Sequence, residues 1–123
     1  MSAAGESAHW PSELRLDAAK TTLNIGFEDG QRFALAAEYL RVESPSAEVQ
    51  GHVAAQKKIV AGKRHVKISA LEPVGNYAVR IVFDDGHDSG LFTWAYLYEL
   101  GKLHDRKWAD YLRNLKMRAL SRG

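Results

Sequence analysis

Hydrophobic and polar residues alternate in two short stretches near the start of the chain, at Leu14 to Leu16 and from Leu23 to Phe27. Alternation with a period of two is typical of half-buried β-strands. The second stretch leads into Asp29-Gly30, and the segment RFAL follows on the other side. Because Asp-Gly supplies the positive φ angles of a tight turn, this pattern predicts a β-hairpin. The next segment, AAEYLRVES, has the composition of a short helix that stops before proline.

The same order of elements returns 56 residues later along the chain. In this alignment Val79, Ile81, Phe83, Asp85, Gly86 and Leu91 fall on Leu23, Ile25, Phe27, Asp29, Gly30 and Leu35. One residue further out of step, Tyr96-Leu97 falls on Tyr39-Leu40. Two repeats are too few for a solenoid, which needs about three. The sequence therefore predicts an α+β fold with a β-rich core, made of two pseudo-repeated units of strand, hairpin and short helix that pack face to face or form one curled sheet.

The segment from Leu103 to Leu120 is helical in pattern and predicts a C-terminal helix. Trp108, Leu112, Leu115 and Ala119 share one face at helical spacing. Such an apolar stripe can dock on its own sheet or on a partner. Between the two units, residues 44–63 read as a long loop with at most one short element. We therefore divide the chain into a flexible N-terminus (1–12), one domain (13–101) and a basic helical tail (102–123).

Composition removes several kinds of chemistry from consideration. The chain has 123 residues, enough for one domain, and it contains no cysteine. It therefore lacks disulfides, thiolate nucleophiles, iron-sulfur ligands and every zinc site that uses cysteine. No long apolar run and no secretory signal pattern occur, so we expect a cytoplasmic protein with no membrane partner. The net charge is only +2, but residues 102–122 carry seven Lys and Arg against two Asp.

Three segments, LRVESPSAEVQGH, EPVGNYA and FDDGH leading to W-x-Y-L, occur in an order that resembles a known family. This is the family of domains similar to the N-terminal domain of gamma-butyrobetaine hydroxylase, and the resemblance covers roughly residues 14 to 101. In the hydroxylase, such a domain precedes a separate oxygenase domain and holds zinc through a Cys-x-Cys-x-x-Cys stretch and a distant histidine. Related domains are attached to P-loop ATPases that carry iron-sulfur clusters. The resemblance implies a domain of unknown function without chemistry of its own.

The family's zinc ligands can be carried over position by position. The three cysteine positions match Ser44, Ser46 and Val49, and the histidine matches His87. A serine hydroxyl keeps its proton at neutral pH and valine has no donor atom, so we expect no zinc site of the family's kind here.

A different metal site remains an alternative prediction. His87 and His52 could bind zinc or iron together with a carboxylate, as two histidines and one acid; the candidate acids are Asp85, Asp88 and Glu48. The plainer interpretation makes His87 a polar residue at the end of a hairpin turn, bonded to a nearby carboxylate or to water. Gln31 occupies the equivalent place in the first unit, so the turn does not require histidine.

Two features indicate a surface for a partner. Basic residues Lys57, Lys58, Lys63 and Arg64 have no acidic residue among them, and with the tail's Arg113 and Lys116 they predict an anion-binding surface, unless they are merely a solvated face. The segment FTWAYLYEL offers Trp94 and Tyr98 as interface anchors, although most aromatic residues there should be core.

No set of acid, base and nucleophile converges in this sequence, and no phosphate-binding loop or serine-hydrolase elbow occurs. The sequence therefore predicts a protein that is not an enzyme. We expect a non-catalytic accessory module that binds another protein. The alternatives are a metal-binding protein and, second, a nucleic-acid-binding protein whose affinity falls steeply with salt.

Overall fold

The computed structural model describes residues 9–46, 49 and 58–123. The strands of the first unit are β1 (Pro11–Leu16), β2 (Thr22–Phe27) and β3 (Arg32–Ala36), and those of the second are β4 (Ile68–Val74), β5 (Ala78–Phe83) and β6 (Leu91–Thr93). The helices are α1 (Ala37–Val42), α2 (Trp94–Lys102) and α3 (His104–Met117). The predicted α+β class, with a β-rich core and a C-terminal helix, is confirmed.

The predicted duplication is confirmed in the strand pairing. Each unit forms an antiparallel three-stranded sheet, in the orders β1-β2-β3 and β4-β5-β6. Both first strands carry an irregularity at the same place, between Pro11 and Glu13 and between Ile68 and Ala70. Both hairpin turns place a glycine, Gly30 or Gly86, at a φ near +94° or +93°. The two units therefore share register and turn geometry, including this bulge.

One position of the sequence alignment is wrong. Leu91 was matched to the buried Leu35, but Leu91 pairs with Arg80 and is 41% exposed. The residue that pairs with Val79, as Leu35 pairs with Leu23, is Phe92. The second hairpin has one extra residue in its loop, so the step out of register occurs before β6 and not after it. Because side chains alternate along a strand, this single residue exchanges the inward and outward faces.

The two sheets share one hydrophobic core. Residues with a period of two point inward from the strands, and the two short helices add three leucines and a tyrosine. The fully buried large side chains are Tyr39, Phe27, Phe83, Phe92, Leu23, Ile25, Leu35, Leu40, Ile68, Ile81, Leu97 and Leu100.

The helices of the two units are joined by reciprocal hydrogen bonds. The Tyr39 hydroxyl on α1 donates to the Leu100 carbonyl of α2 at 2.7 Å. The Tyr96 hydroxyl on α2 donates to the Glu43 carbonyl, just beyond α1, at 2.6 Å. Both donors and both acceptors stand 57 residues apart in the sequence, so the two bonds are equivalent under the internal repeat. Each unit therefore satisfies a carbonyl at the helix end of the other.

The helices also reach the hairpin turns of the opposite unit at equivalent positions. Arg41 on α1 donates through Nε to Asp85 at 2.8 Å, and Tyr98 on α2 donates to Asp29 at 2.6 Å. The aspartate that precedes the turn glycine is thus held by a helix from the other half in both places. The two units interlock, and they do not merely stack.

Helix α3 docks on its own chain. Trp108, Tyr111 and Leu115 pack against Val42 and the segment 59–61. The predicted stripe differs in one respect, because Leu112 is 39% exposed and Tyr111 takes the buried place.

The helix also ends earlier than the sequence predicts. It stops at Met117, where Ala119 adopts a φ of +56° and the Leu120 N–H donates to the Leu115 carbonyl at 2.9 Å. This is the geometry of a Schellman C-cap, in which a left-handed residue ends the helix. None of the helices in the described ranges is long and apolar enough to span a bilayer.

Candidate functional site

His87 lies buried at the end of the second hairpin turn, with 6% of its surface exposed. Its Nε2 is 2.9 Å from the Ser44 Oγ, and its backbone N–H donates to the Asp85 carboxylate at 3.0 Å. The Phe83 N–H donates to the His87 carbonyl, closing the turn. Gln31 makes the same two backbone bonds in the first unit, which confirms that the turn itself does not require histidine. The imidazole is therefore available for a contact that only the second unit makes.

A group of serines surrounds this imidazole. The Ser44 hydroxyl also accepts the Ser46 N–H at 3.3 Å, and the Ser46 hydroxyl is 2.8 Å from that of Ser89. A Cβ at Gly90 would overlap the Ser44 hydroxyl, so the backbone approaches closely here. Val49 is buried and its N–H donates to the Ser46 carbonyl. The four positions that match the family's zinc ligands are thus brought together in the fold.

The donor atoms at these four positions do not fit zinc. They are two hydroxyls, one imidazole and an alkyl side chain, in place of three thiolates and an imidazole. Ser44 is fully buried, and its hydroxyl lies 2.9 Å from the His87 Nε2. In this chain a hydrogen bond between Ser44 and His87 joins two of these four positions.

In the part of the chain that the structure describes, no group of three or more His, Asp and Glu side chains could hold a metal ion. His52 and Glu48 lie outside that part, so the pairing of His52 with His87 stays a prediction. Near-stoichiometric metal in purified protein that disappears with His87→Ala would support it.

Asp85 is the charged centre beside this cluster. It accepts from Arg41 at 2.8 Å and from the Lys63 ammonium at 2.7 Å. Burial raises the pKa of the Asp85 carboxyl, but the Lys63 ammonium, the His87 N–H and the Arg41 guanidinium outweigh it and lower the pKa to about 2. Lys63, predicted to face a partner, is therefore committed to an internal ion pair.

The structure joins segment 62–64, which carries part of the first predicted basic group, to the end of the basic tail. The Gly62 N–H donates to the Ser121 carbonyl at 3.0 Å, and the Arg64 N–H donates to the Arg122 carbonyl at 2.8 Å. Segment 58–64 also contacts α3, because the Tyr111 hydroxyl donates to the Val60 carbonyl at 2.6 Å. The loop after the first unit thus runs along α3 and pairs with the chain's last residues.

We define the basic seam as the exposed cations on either side of this junction: Lys58, Arg64, Lys67, Lys116 and Arg118. Within the described ranges, no carboxylate lies within ion-pair distance of any of these five. Arg122 differs from them, because it makes two hydrogen bonds to the buried Glu38 carboxylate, at 2.9 and 2.7 Å, and lies over the Trp108 ring. Arg113 pairs with Asp110, and Lys57 lies outside the described residues.

Both predicted aromatic anchors are used inside the domain. Trp94 is half-buried, and its Nε1 donates to the Asn76 carbonyl at 2.9 Å. Tyr98 bonds to the Asp29 carboxylate, and its ring stacks on His9 with centroids 3.7 Å apart. The most exposed aromatic side chain among the described residues is instead Tyr77, at 51%.

A recess opens between segment 58–60 and α3, with a cavity volume of about 130 Å³. Its lining combines apolar and charged side chains: Val42, Glu43, Lys58, Ile59, Val60, Lys107, Asp110, Tyr111 and Asn114. Pockets that enclose a small-molecule ligand usually measure about 300–1,000 Å³. The recess is thus too small to enclose a ligand of that class.

Comparison with known proteins finds one family and several solved structures. Residues 14–98 match the family model described as gamma-butyrobetaine hydroxylase-like, N-terminal. Two proteins with NMR solution structures are 47% and 45% identical in sequence to this chain, each with a TM-score of 0.81. Each match covers 94% of this chain, and the matches cover 91% and 86% of the two other chains. A crystal structure of a protein of unknown function from Acidithiobacillus ferrooxidans is 40% identical, with a TM-score of 0.62 over 74% of this chain and 91% of that one. No curated protein matches the chain.

Proposed function

The chain belongs to the family of gamma-butyrobetaine hydroxylase-like N-terminal domains, and from this premise we propose that it is a non-catalytic accessory module that binds another protein through the basic seam. The observation that carries the proposal is the pairing of residues 62–64 with 121–123, which joins two groups of cations that are distant in sequence. The solved relative from Acidithiobacillus ferrooxidans is itself described as a protein of unknown function.

Burial supports the non-catalytic part of the proposal. Ser44 and His87 resemble a nucleophile and its base, since their side chains are 2.9 Å apart. However, Ser44 is fully buried and His87 is 6% exposed, so a substrate cannot reach the hydroxyl without displacing the surrounding chain. A nucleophile needs access to the reacting atom as well as a base. The pair acts as a structural link between α1 and the second hairpin.

Charge supports the partner-binding part. Three cations next to the seam, Arg41, Lys63 and Arg122, are neutralised by buried or half-buried acids. Among the described residues, none of the five seam cations has such an acid, and they lie in the two segments that meet at this junction, 58–67 and 116–118. An acidic surface on another protein would be attracted to this field and oriented by it. We therefore expect the partner's contact surface to carry excess Asp and Glu.

The test is a charge reversal within the seam, because the full chain is needed for folding. Removing residues 102–123 would strip Trp108, Tyr111 and Leu115 from the core, so deletion cannot separate binding from unfolding. The test variant is Arg64→Glu with Lys116→Glu, and the matched control makes the same charge change at two exposed cations outside the seam, Lys102→Glu at the end of α2 with Arg106→Glu in the first turn of α3.

Tagged protein is used to capture partners from nuclease-treated extract, and bound proteins are identified by mass spectrometry. We expect the wild type and the control to retain the same acidic proteins and the seam variant to lose them. Equal capture by the seam variant would contradict the proposal. A parallel capture uses extract without nuclease treatment. If partners are captured only from this untreated extract, and if the affinity for a single-stranded oligonucleotide falls with salt at a log-log slope of about −0.7 per phosphate contact, the ligand is nucleic acid and the protein proposal fails.

A further inference from the structure

The internal repeat allows the outward faces of the two sheets to be compared position by position. In the first sheet the outward rows are Glu13, Gly26 and Arg32, then Arg15, Asn24 and Ala34. In the second sheet the equivalent rows are Ala70 with Val82, then Glu72, Arg80 and Leu91. The first face carries three charges in one ion-pair network, whereas the second carries a single pair set among apolar residues.

The apolar residues of the second face are accessible. Leu91 is 41% exposed, and Ala70, Val74 and Val82 are half-buried. Val82 lies between the buried Ile81 and Phe83 on β5, and Leu91 precedes the buried Phe92 on β6, so their side chains are on the outward side of the sheet. Ala70 pairs with Val82 and shares that side. The first sheet shows that this architecture tolerates polar residues at the same positions. Folding therefore does not require apolar residues at these positions, and apolar residues that are grouped on one outward face point to a contact surface.

We propose that this face, defined by Ala70, Glu72, Arg80, Val82 and Leu91, pairs with the same face of a second copy of the chain. The arrangement of charges on this face favours a second copy as the partner. Glu72 and Arg80 are side by side on neighbouring strands, and their side chains are 47% and 43% exposed. A two-fold axis through the middle of the face places Arg80 of each copy opposite Glu72 of the other, with apolar residues around the four charges. A surface is self-complementary under such an axis when it carries both signs in this way.

The size of the face sets the strength of the association. Two strands of about six residues and one of three, at about 4.8 Å spacing and about 3.3 Å rise per residue, give roughly 240 Å² of sheet per copy. Stable complexes bury about 800 Å² per partner. The face is thus too small for a permanent dimer, and we expect a dissociation constant of roughly 10 µM to 1 mM.

The experiment is sedimentation equilibrium of the full chain over a concentration series, with NMR dilution spectra to locate the contact. Leu91→Glu replaces the exposed apolar side chain of the face with a carboxylate, and Ala34→Glu introduces the same residue at the equivalent position of the first sheet. We expect Leu91→Glu to weaken self-association at least about tenfold and Ala34→Glu to leave it unchanged. Dilution should shift the amide signals of Ala70, Val82 and Leu91.

Ala70→Glu gives a second, independent test, because it installs the residue that the first sheet already has at the equivalent position, Glu13. It should also weaken self-association, while a native amide spectrum shows that the fold is kept. A monomer at every concentration, an association that Leu91→Glu leaves intact, or dilution shifts confined to the basic seam would each overturn the proposal. Dimerisation is separate from the proposed function, since reversing Arg64 and Lys116 should leave it unaffected.

Discussion

Gly101 near the end of α2 allows a sharp test, because two physical effects predict opposite results for Gly101→Ala. Helix propensity alone favours alanine by about 1 kcal/mol. However, a Cβ at this position would lie only 2.5 and 2.6 Å from two ring atoms of Phe33 on β3. Carbon atoms normally approach to about 3.5–4.0 Å, so the overlap is about 1 Å. The Phe33 ring is in edge-on contact with Phe27 and Tyr98, so a shift that makes room for the Cβ disturbs these contacts.

Overpacking of this kind costs about 1–3 kcal/mol, and the overlap of about 1 Å against a braced ring places Gly101→Ala at the upper end. After the propensity gain is subtracted, we expect the free energy of unfolding to fall by about 2 kcal/mol. The assay is equilibrium urea unfolding followed by tryptophan fluorescence and circular dichroism.

In the control, Gly101→Ala should change the free energy of unfolding in the opposite direction. In a Phe33→Ala background the ring is gone, so Gly101→Ala should then stabilise the domain by about 0.5–1 kcal/mol through helix propensity alone. A Gly101→Ala protein as stable as the wild type would refute the steric argument. An equal loss in both backgrounds would show that Phe33 is not the cause.

Three further predictions concern single contacts. Asp85→Asn should lower the free energy of unfolding by about 1 kcal/mol at pH 7, a figure reduced for solvent screening. Folding lowers the pKa of Asp85 from 3.8 to about 2, so this stabilisation is present above about pH 4 and is lost as the pH falls toward 2. The urea midpoints of the two proteins should therefore converge near pH 2. Tyr39→Phe leaves the Leu100 carbonyl without its donor and should cost about 1–2 kcal/mol, whereas Tyr77→Phe at an exposed site should cost nothing measurable; equal midpoints for the two would contradict the reciprocal bond. Ala119→Gly should raise the melting temperature by about 4 °C. Glycine removes the strain of a left-handed alanine, which is about 1–2 kcal/mol, but about half of this gain is lost because glycine makes the unfolded chain more flexible. A lower melting temperature would count against the cap.

The sequence predicts the fold well where the signal is local. The Asp-Gly turns and the alternation around Ile25 and Ile81 are properties of a few neighbouring residues, and both hairpins form as predicted. The alignment fails at Leu91, because a single extra residue in a loop changes no local pattern but reverses which side of β6 is buried. The stripe on α3 is misassigned for a similar reason, since Tyr111 and Leu112 both lie near the same helix face and only the neighbouring segment decides between them.

The site could be predicted less well than the fold. The approach of Ser44 to His87 spans 43 residues, and only the family resemblance pointed to it. The pairing of residues 62–64 with the chain's end is made by backbone atoms, which carry no sequence signal. Without that pairing, the basic residues look like two unrelated charged runs. The outward face of the second sheet was missed because its meaning depends on comparison with the first sheet, residue by residue, in the correct register.

The reciprocal tyrosine bonds have a consequence for biosynthesis. Tyr39 finds its acceptor 61 positions later and Tyr96 finds its own 53 positions earlier. The amino-terminal half therefore cannot complete its packing while the ribosome is still making the carboxy-terminal half. Contacts of such long range slow the search for the native state, since the loop must close before any of them forms. A nascent chain stalled before residue 100 should thus stay accessible to chaperones and proteases, and protection should arrive in one step once both halves have emerged.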